Sequence, residues 1–222
     1  MTDLDALRAY DTPTLANALD GLTDRPANQG FTRPPVHSIL PSLPAMVGHV
    51  VTATIRSEEP FPSAEAKASA MTPLYDLVAS APKPSIIVVQ DLDGGAGCLW
   101  GEVNSTICAA LGCEGVVTDG LVRDVPDVEA VGFRYLARGV GVARSWVRIV
   151  ETGIPVEVGG VRFAPGDVVH ADRHGALVIP PEAVAALPAA ADAVIAREGR
   201  LLDWVRSPAF DPTQLAARRA QH

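Results

Sequence analysis

The chain has 222 residues, 48% of them apolar and 20% charged, with 18 Lys and Arg against 26 Asp and Glu for a net charge of −8. That length supports one α/β domain with a full core, and the acidic balance argues against duplex nucleic acid or an anionic membrane surface as partner. The longest uninterrupted aliphatic run, Ile86-Ile87-Val88-Val89, is far too short to span a bilayer. The acidic N-terminus is unlike a secretory signal, and Cys98, Cys108 and Cys113 form no CxxC pair, so three reduced thiols in a cytoplasmic protein are expected.

In chain order, Thr12-Pro13-Thr14 opens the first clear helix, with Thr12 as cap and Gly21 as stop. Residues 24–44 carry five prolines and read as an irregular, ordered connection. A β-branched strand is expected over 47–55, then a helix over 63–80 that Pro73 must break or kink. Residues 85–89 read as a strand covered on both faces. Gly94-Gly95-Ala96-Gly97 follows, and a helix is expected over 100–111. The next buried strand covers 115–118 and ends at Asp119-Gly120. Pro126 then starts a short helix, and 135–140 is a further strand. Residues 156–163 alternate on two arms and predict a hairpin. Strands near 167–170 and 176–179 flank the turn Asp172-Arg173-His174-Gly175. An Ala-rich helix runs from 181 to about 205 and is followed by a tail. The alternation of strand and helix followed by hairpins predicts an α/β fold, a mixed central sheet layered with helices, in a single domain over 1–222. A helical extension occupies about 1–45 and a C-terminal helix and tail about 181–222.

Two segments carry candidate chemistry. Residues 94–104 and 115–125 each run from a buried strand through a Gly-containing loop into a helix, where free amides can seat a carboxylate or phosphate. The first lacks dinucleotide and P-loop spacings and reads equally as a tight turn. In the second, Arg123 and Asp124 follow a strand end, where ligands gather on α/β sheets. Arg offers a forked donor for a carboxylate or enolate, and a lone Asp suits Mg²⁺, which fills its sphere with water and substrate. An ordinary surface ion pair is the competing reading.

The sequences G-V-V-T-D-G-L-V-R-D-V (115–125) and V-G-F-R-Y-L-A-R-G-V (131–140) resemble the signature of the RraA-like family. The likeness extends to Trp100-Gly101-Glu102 and to residues 156–180, about two-thirds of the chain. It implies a swivelling β/β/α fold and the activity of the divalent-metal-dependent aldolases of that family. These cleave 4-hydroxy-2-oxo di- or tricarboxylic acids of the 4-hydroxy-4-methyl-2-oxoglutarate and 4-carboxy-4-hydroxy-2-oxoadipate type to pyruvate and a second oxo acid, with oxaloacetate decarboxylation alongside. By position, the resemblance places substrate binding at Gly101, Glu102, Val103, Asn104 and Arg123. It places Mg²⁺ or Mn²⁺ on Asp124 and the enolate-stabilising role on Arg123. Glu102 is the first candidate for the base and Glu198, presented by a neighbouring subunit, the second. A homotrimer or homohexamer is implied. The alternatives are a related lyase or hydratase, and a non-catalytic regulator that binds a ribonuclease. His174 stands where the family often has Asp; a solvent-facing turn residue and a change of substrate are both open readings. With only Lys67 and Lys83 against 16 arginines, and neither in apolar surroundings, a metal route is favoured over an imine route.

Overall fold

The computed structural model describes residues 3–220, in which the β-branched runs become neighbouring strands and the Pro-rich stretches the connections between them. In order the elements are α1 (Asp3–Leu7), α2 (Thr12–Leu19), β1 (His37–Ser38), β2 (Met46–Arg56), α3 (Ala64–Ser69), α4 (Thr72–Ser80), β3 (Ser85–Asp91), β4 (Cys98–Trp100), α5 (Glu102–Ala110) and β5 (Cys113–Thr118). There follow β6 (Leu121–Val122), α6 (Val125–Val131), β7 (Arg134–Ala137), β8 (Gly139–Val140), β9 (Arg148–Thr152), β10 (Val156–Val158), β11 (Val161–Phe163), β12 (Val168–Asp172), β13 (Gly175–Ile179), α7 (Leu187–Arg206) and α8 (Leu215–Ala220).

The main sheet has the order β1-β7-β5-β3-β2-β12-β13, with β9 also paired to β2. Its centre, β2 to β7, is parallel, and its outer pairs are antiparallel. Because successive side chains point to opposite faces, β2 and β3 feed two cores. Val51, Ala53, Ile55, Ile87 and Val89 meet Leu74, Val78 and Cys108 from α4 and α5. Val50, Ile86 and Val88 meet Val156, Val158, Val161 and Phe163 of the β10–β11 hairpin. A third cluster joins Leu15 and Leu19 of α2 to Leu187, Ala191 and Val194 of α7, over Val47, Leu177 and Ile179. This is the mixed α/β architecture with flanking helices and C-terminal hairpins that the sequence predicts.

Several local expectations change. Asp11 rather than Thr12 caps α2, its carboxylate accepting from the Thr14 amide; the Thr12 hydroxyl is taken by His170 Nδ1 at 2.9 Å. The expected helix over 63–80 divides into α3 and α4, with Pro73 in the first turn of α4, where its missing N–H costs nothing. Trp100 ends a strand instead of opening a helix. The stretch 135–140 splits between two sheets, and β9 has no counterpart among the expected strands. All three cysteines are free and buried. Among the described residues no helix is long and apolar enough to cross a membrane.

Candidate active site

The short strands β4, β6 and β8 form a separate parallel sheet, and its register builds the site. Trp100 pairs with Val122, and the Arg123 amide donates to the Trp100 carbonyl at 2.9 Å. Two strand ends therefore lie side by side, and each feeds a helix start: Gly101 precedes α5 and Asp124 precedes α6. Asp124 adopts the left-handed conformation, φ 56° and ψ 40°, which Asp tolerates better than most residues. Its Oδ2 accepts from the Glu102 amide at 3.1 Å, so the seat that an α5 N-terminus offers an anion is partly filled by this chain's own carboxylate. A Cβ at position 101 would lie 2.4 Å from that oxygen, so the close approach requires glycine. Arg123 Nε lies 3.6 Å from the same oxygen, and the two side chains remain 39% and 33% exposed, open to a ligand.

Both side chains line a cavity of about 140 Å³ together with Gly101, Val103 and Asn104. The Asn104 amide is held from two sides. Its Nδ2 donates to the Leu99 carbonyl at 3.1 Å and its Oδ1 accepts from Tyr75 Oη at 2.6 Å. Burial raises the Tyr75 phenol above its ordinary value, which keeps it a donor. Beneath the site, Ser105 Oγ bonds the Gly101 carbonyl and Tyr135 Oη, both at 2.9 Å, and Trp100 stacks on Phe133 at 6.1 Å. Cys98 forms part of the wall, but burial pushes its thiol up, away from the nucleophilic thiolate.

Five of the residues singled out in the sequence thus converge on one cavity: Gly101, Val103, Asn104, Arg123 and Asp124. Glu102 contributes its amide, while its exposed side chain lies outside the lining. Glu198 sits on α7, where Asn17 Nδ2 donates to it at 3.5 Å, in the layer of α2 and α7 rather than at the cavity. His174 is an exposed turn residue whose amide and Nδ1 both engage Asp172, at 2.8 and 3.1 Å. Asp119 faces inward to accept from the Asp91 amide at 2.8 Å, and in the Gly-rich loop the Gly95 amide donates to Asp91 while the Gly94 carbonyl accepts from Arg138 at 2.7 Å, so these groups are engaged within the chain. The sequence reading missed Lys67 and Arg144, which line the cavity with Phe61 and Met71. The scarcity of lysine marked Lys67, yet the polar stretch Glu65-Ala66-Lys67 around it gave no sign of a site.

Among the described residues no group of three or more His, Cys, Asp or Glu could cage a metal ion. Asp124 alone fits a cation that takes one protein carboxylate and completes its sphere with water and substrate, the habit of Mg²⁺. Three cationic side chains against one carboxylate make the cavity a place for an anionic ligand that would bring oxygens of its own.

The chain resembles several known proteins in sequence and fold. The chain is 28% identical over 180 residues to a Halalkalibacterium halodurans protein named "Putative 4-hydroxy-4-methyl-2-oxoglutarate aldolase", covering 78% of this chain and 74% of that one. It is 29% identical over 119 residues to Legionella pneumophila Protein DlpA, spanning 52% of this chain but only 19% of that protein. Among solved structures, an uncharacterized Pseudomonas syringae protein superposes with a TM-score of 0.74 at 23% identity, over 99% of this chain and 93% of that one. The fold is shared as well with Streptomyces coelicolor RraAS2, described as an unusual member of the RNase ES inhibitor RraA protein family, at a TM-score of 0.69 and 22% identity over 89% and 94% of the two chains. Residues 12–178, three-quarters of the sequence, match the Aldolase/RraA family description, and the chain belongs to the RraA-like family.

Proposed function

We propose that the protein is a divalent-metal-dependent aldolase that cleaves a 4-hydroxy-2-oxo di- or tricarboxylic acid to pyruvate and a second oxo acid. The observation that carries this reading is the placement of the Asp124 carboxylate, the Arg123 guanidinium and the α5 N-terminus on one cavity wall. Relatives that carry the name "Putative 4-hydroxy-4-methyl-2-oxoglutarate aldolase" support it. When bound at Asp124, Mg²⁺ or Mn²⁺ would supply Lewis-acid polarisation of the 2-oxo group. The first-turn amides of Val103 and Asn104 have no carbonyl four residues back within α5 and are donors for the substrate carboxylate. As the C3–C4 bond breaks, its electron pair passes to the enolate of pyruvate and C4 becomes the carbonyl of the second product. Arg123 neutralises the charge gathering on the enolate oxygen. The C4 hydroxyl proton goes to a base through water, and C3 is reprotonated to release pyruvate. Glu102, beside the cavity, is the first candidate for that base. Glu198 would serve only if a second copy of the chain, as in a trimer or hexamer, brought its α7 to the cavity. Lys67 is exposed and lacks the burial that makes an amine a Schiff-base nucleophile. Oxaloacetate decarboxylation, which forms the same enolate, is the expected secondary activity.

Pyruvate release from a panel of 4-hydroxy-2-oxo acids, with and without Mg²⁺, tests the proposal. Chelation with EDTA abolishes turnover and Mg²⁺ restores it; full turnover in chelator overturns the scheme. Arg123→Ala lowers kcat by about 10²-fold or more, the loss expected of a transition-state donor. A change confined to KM contradicts that role.

A further inference from the structure

The cavity does not end at Asp124. Phe61, Lys67 and Arg144 line both it and an adjoining outer pocket of about 310 Å³, whose wall includes Ser63 and Trp146. The two cations therefore stand at the neck between an inner chamber, where Arg123 and Asp124 lie, and an outer one.

Their positions are built by the chain. Lys67 sits on α3, which Ser63 caps through the Ala66 amide at 3.2 Å. The far end of this strap is tied where the Ile149 amide donates to the Ala70 carbonyl at 3.1 Å. Its near end is held by Arg148, which donates to the Glu59 carbonyl at 2.8 Å and to the Glu59 carboxylate at 3.0 Å. Arg144 belongs to a loop pinned by three hydrogen bonds, to Cys98 and to Ser57. The Cys98 amide donates to the Ala143 carbonyl at 2.8 Å, and Ser145 Oγ and the Trp146 amide donate to the Ser57 carbonyl at 3.0 and 3.3 Å. At Gly97 a Cβ would lie 2.7 Å from the Arg144 carbonyl oxygen, so strand β4 and this loop meet backbone to backbone. Arg144 is also close enough to Tyr75 to oppose the burial that raises its phenol. Other cations of the region are spoken for: Arg148 by Glu59 and Arg56 by Asp93. Among the described residues neither Lys67 nor Arg144 forms an ion pair.

On a chain of net charge −8, two unpaired cations held at the neck of a cavity concentrate attraction for an anion there. Arg presents a fork that matches a carboxylate, and Lys a mobile point charge beside it. We infer that Lys67 and Arg144 form a second anion subsite, which takes a carboxylate at the end of the substrate remote from its 2-oxo acid group. This deepens the aldolase reading and rests on it for the orientation of the ligand. It makes the pair determinants of specificity: the site selects oxo acids with two anionic ends over those with an apolar tail.

The test uses two ligands that lack the 4-hydroxyl and so bind without cleavage. 2-Oxoglutarate carries a carboxylate at C5, and 2-oxopentanoate a methyl group in its place. Calorimetric titration of the full chain in Mg²⁺ is expected to give at least about tenfold tighter binding of the diacid. In Lys67→Ala and Arg144→Ala that ratio falls, and in the double variant it approaches one; near-UV circular dichroism verifies the fold. Equal affinities in the unsubstituted protein, or a ratio that survives both substitutions, overturn the subsite. A diacid preference without pyruvate release from any 4-hydroxy-2-oxo acid leaves the subsite standing and removes the aldolase reaction. Cleavage with equal affinity for the two ligands does the reverse.

Discussion

Asp124 combines two properties that substitution can separate. Its backbone is left-handed, a conformation that Asn accepts with little strain and Ala does not, and its carboxylate is the one anionic group on the cavity wall. Asp124→Asn is therefore expected to melt within a few degrees of the parent protein. On the proposed function the same variant loses a Lewis acid that would supply several kcal/mol, and turnover falls by about 10²-fold or more. Gly101→Ala approaches the same atom from the other side. The new methyl would lie 2.4 Å from Oδ2, and the carboxylate, being the free end of a side chain, rotates away while the fold persists. Mg²⁺ titration followed by calorimetry should show weakened binding in both variants. Undiminished activity in Gly101→Ala would mean that the observed carboxylate position is not the working one.

At the scale of elements, the joint between β12 and α2 carries a pH dependence. His170 is buried and accepts or donates one bond, to Thr12 Oγ1, while its Nε2 has no partner. A second proton would place a charge and an unsatisfied N–H in the core, so burial lowers its pKa from 6.5 to about 4, against the opposing pull of Asp172. Between those values the unfolded chain binds more protons than the native one, so stability rises with pH. The effect is fully relieved above about pH 6.5 and costs on the order of 3 kcal/mol by pH 4. His170→Gln retains a polar group for Thr12 but no titration, and melting curves from pH 7 to 4.5 should fall less steeply than in the parent; an unchanged slope would assign the acid sensitivity elsewhere. The same elements explain what was legible in advance. Runs such as 47–55 and 85–89 announce themselves because a strand buried on both faces concentrates β-branched and apolar residues. The strands that build the site, β4, β6 and β8, have two or three residues each, too few for any period to register. β9 has no buried residue and so no alternation to detect. Arg123 and Asp124 were visible because a strand end and a helix start bracket them. Lys67 and Arg144 were not, since their role arises from two segments 77 residues apart folding over one cavity.

At the scale of the molecule, β2 is the member that all three cores share. Val47 belongs to the cluster under α2 and α7, Val50 to the one under the hairpin, and Val51, Ala53 and Ile55 to the one under α4 and α5. The sheet carrying the site joins the last of these through Leu99, Trp100 and Val122. No cluster can lose its packing without loosening a strand that the other two are built on, so the chain should unfold in one step. Leu187→Ala and Phe163→Ala remove fully buried side chains from the two clusters that do not contain the site. Each should cost about 2–5 kcal/mol, at about 2–4 °C of melting temperature per kcal/mol for a chain of this size. The decisive comparison is between far-UV ellipticity, which follows the helices, and near-UV ellipticity, to which buried Trp100 and Tyr135 contribute. Coincident transitions, both displaced, are expected for each variant. If Leu187→Ala instead melts helix at a lower temperature while the near-UV signal persists, the α2–α7 layer is a separate unit and β2 does not couple it to the site.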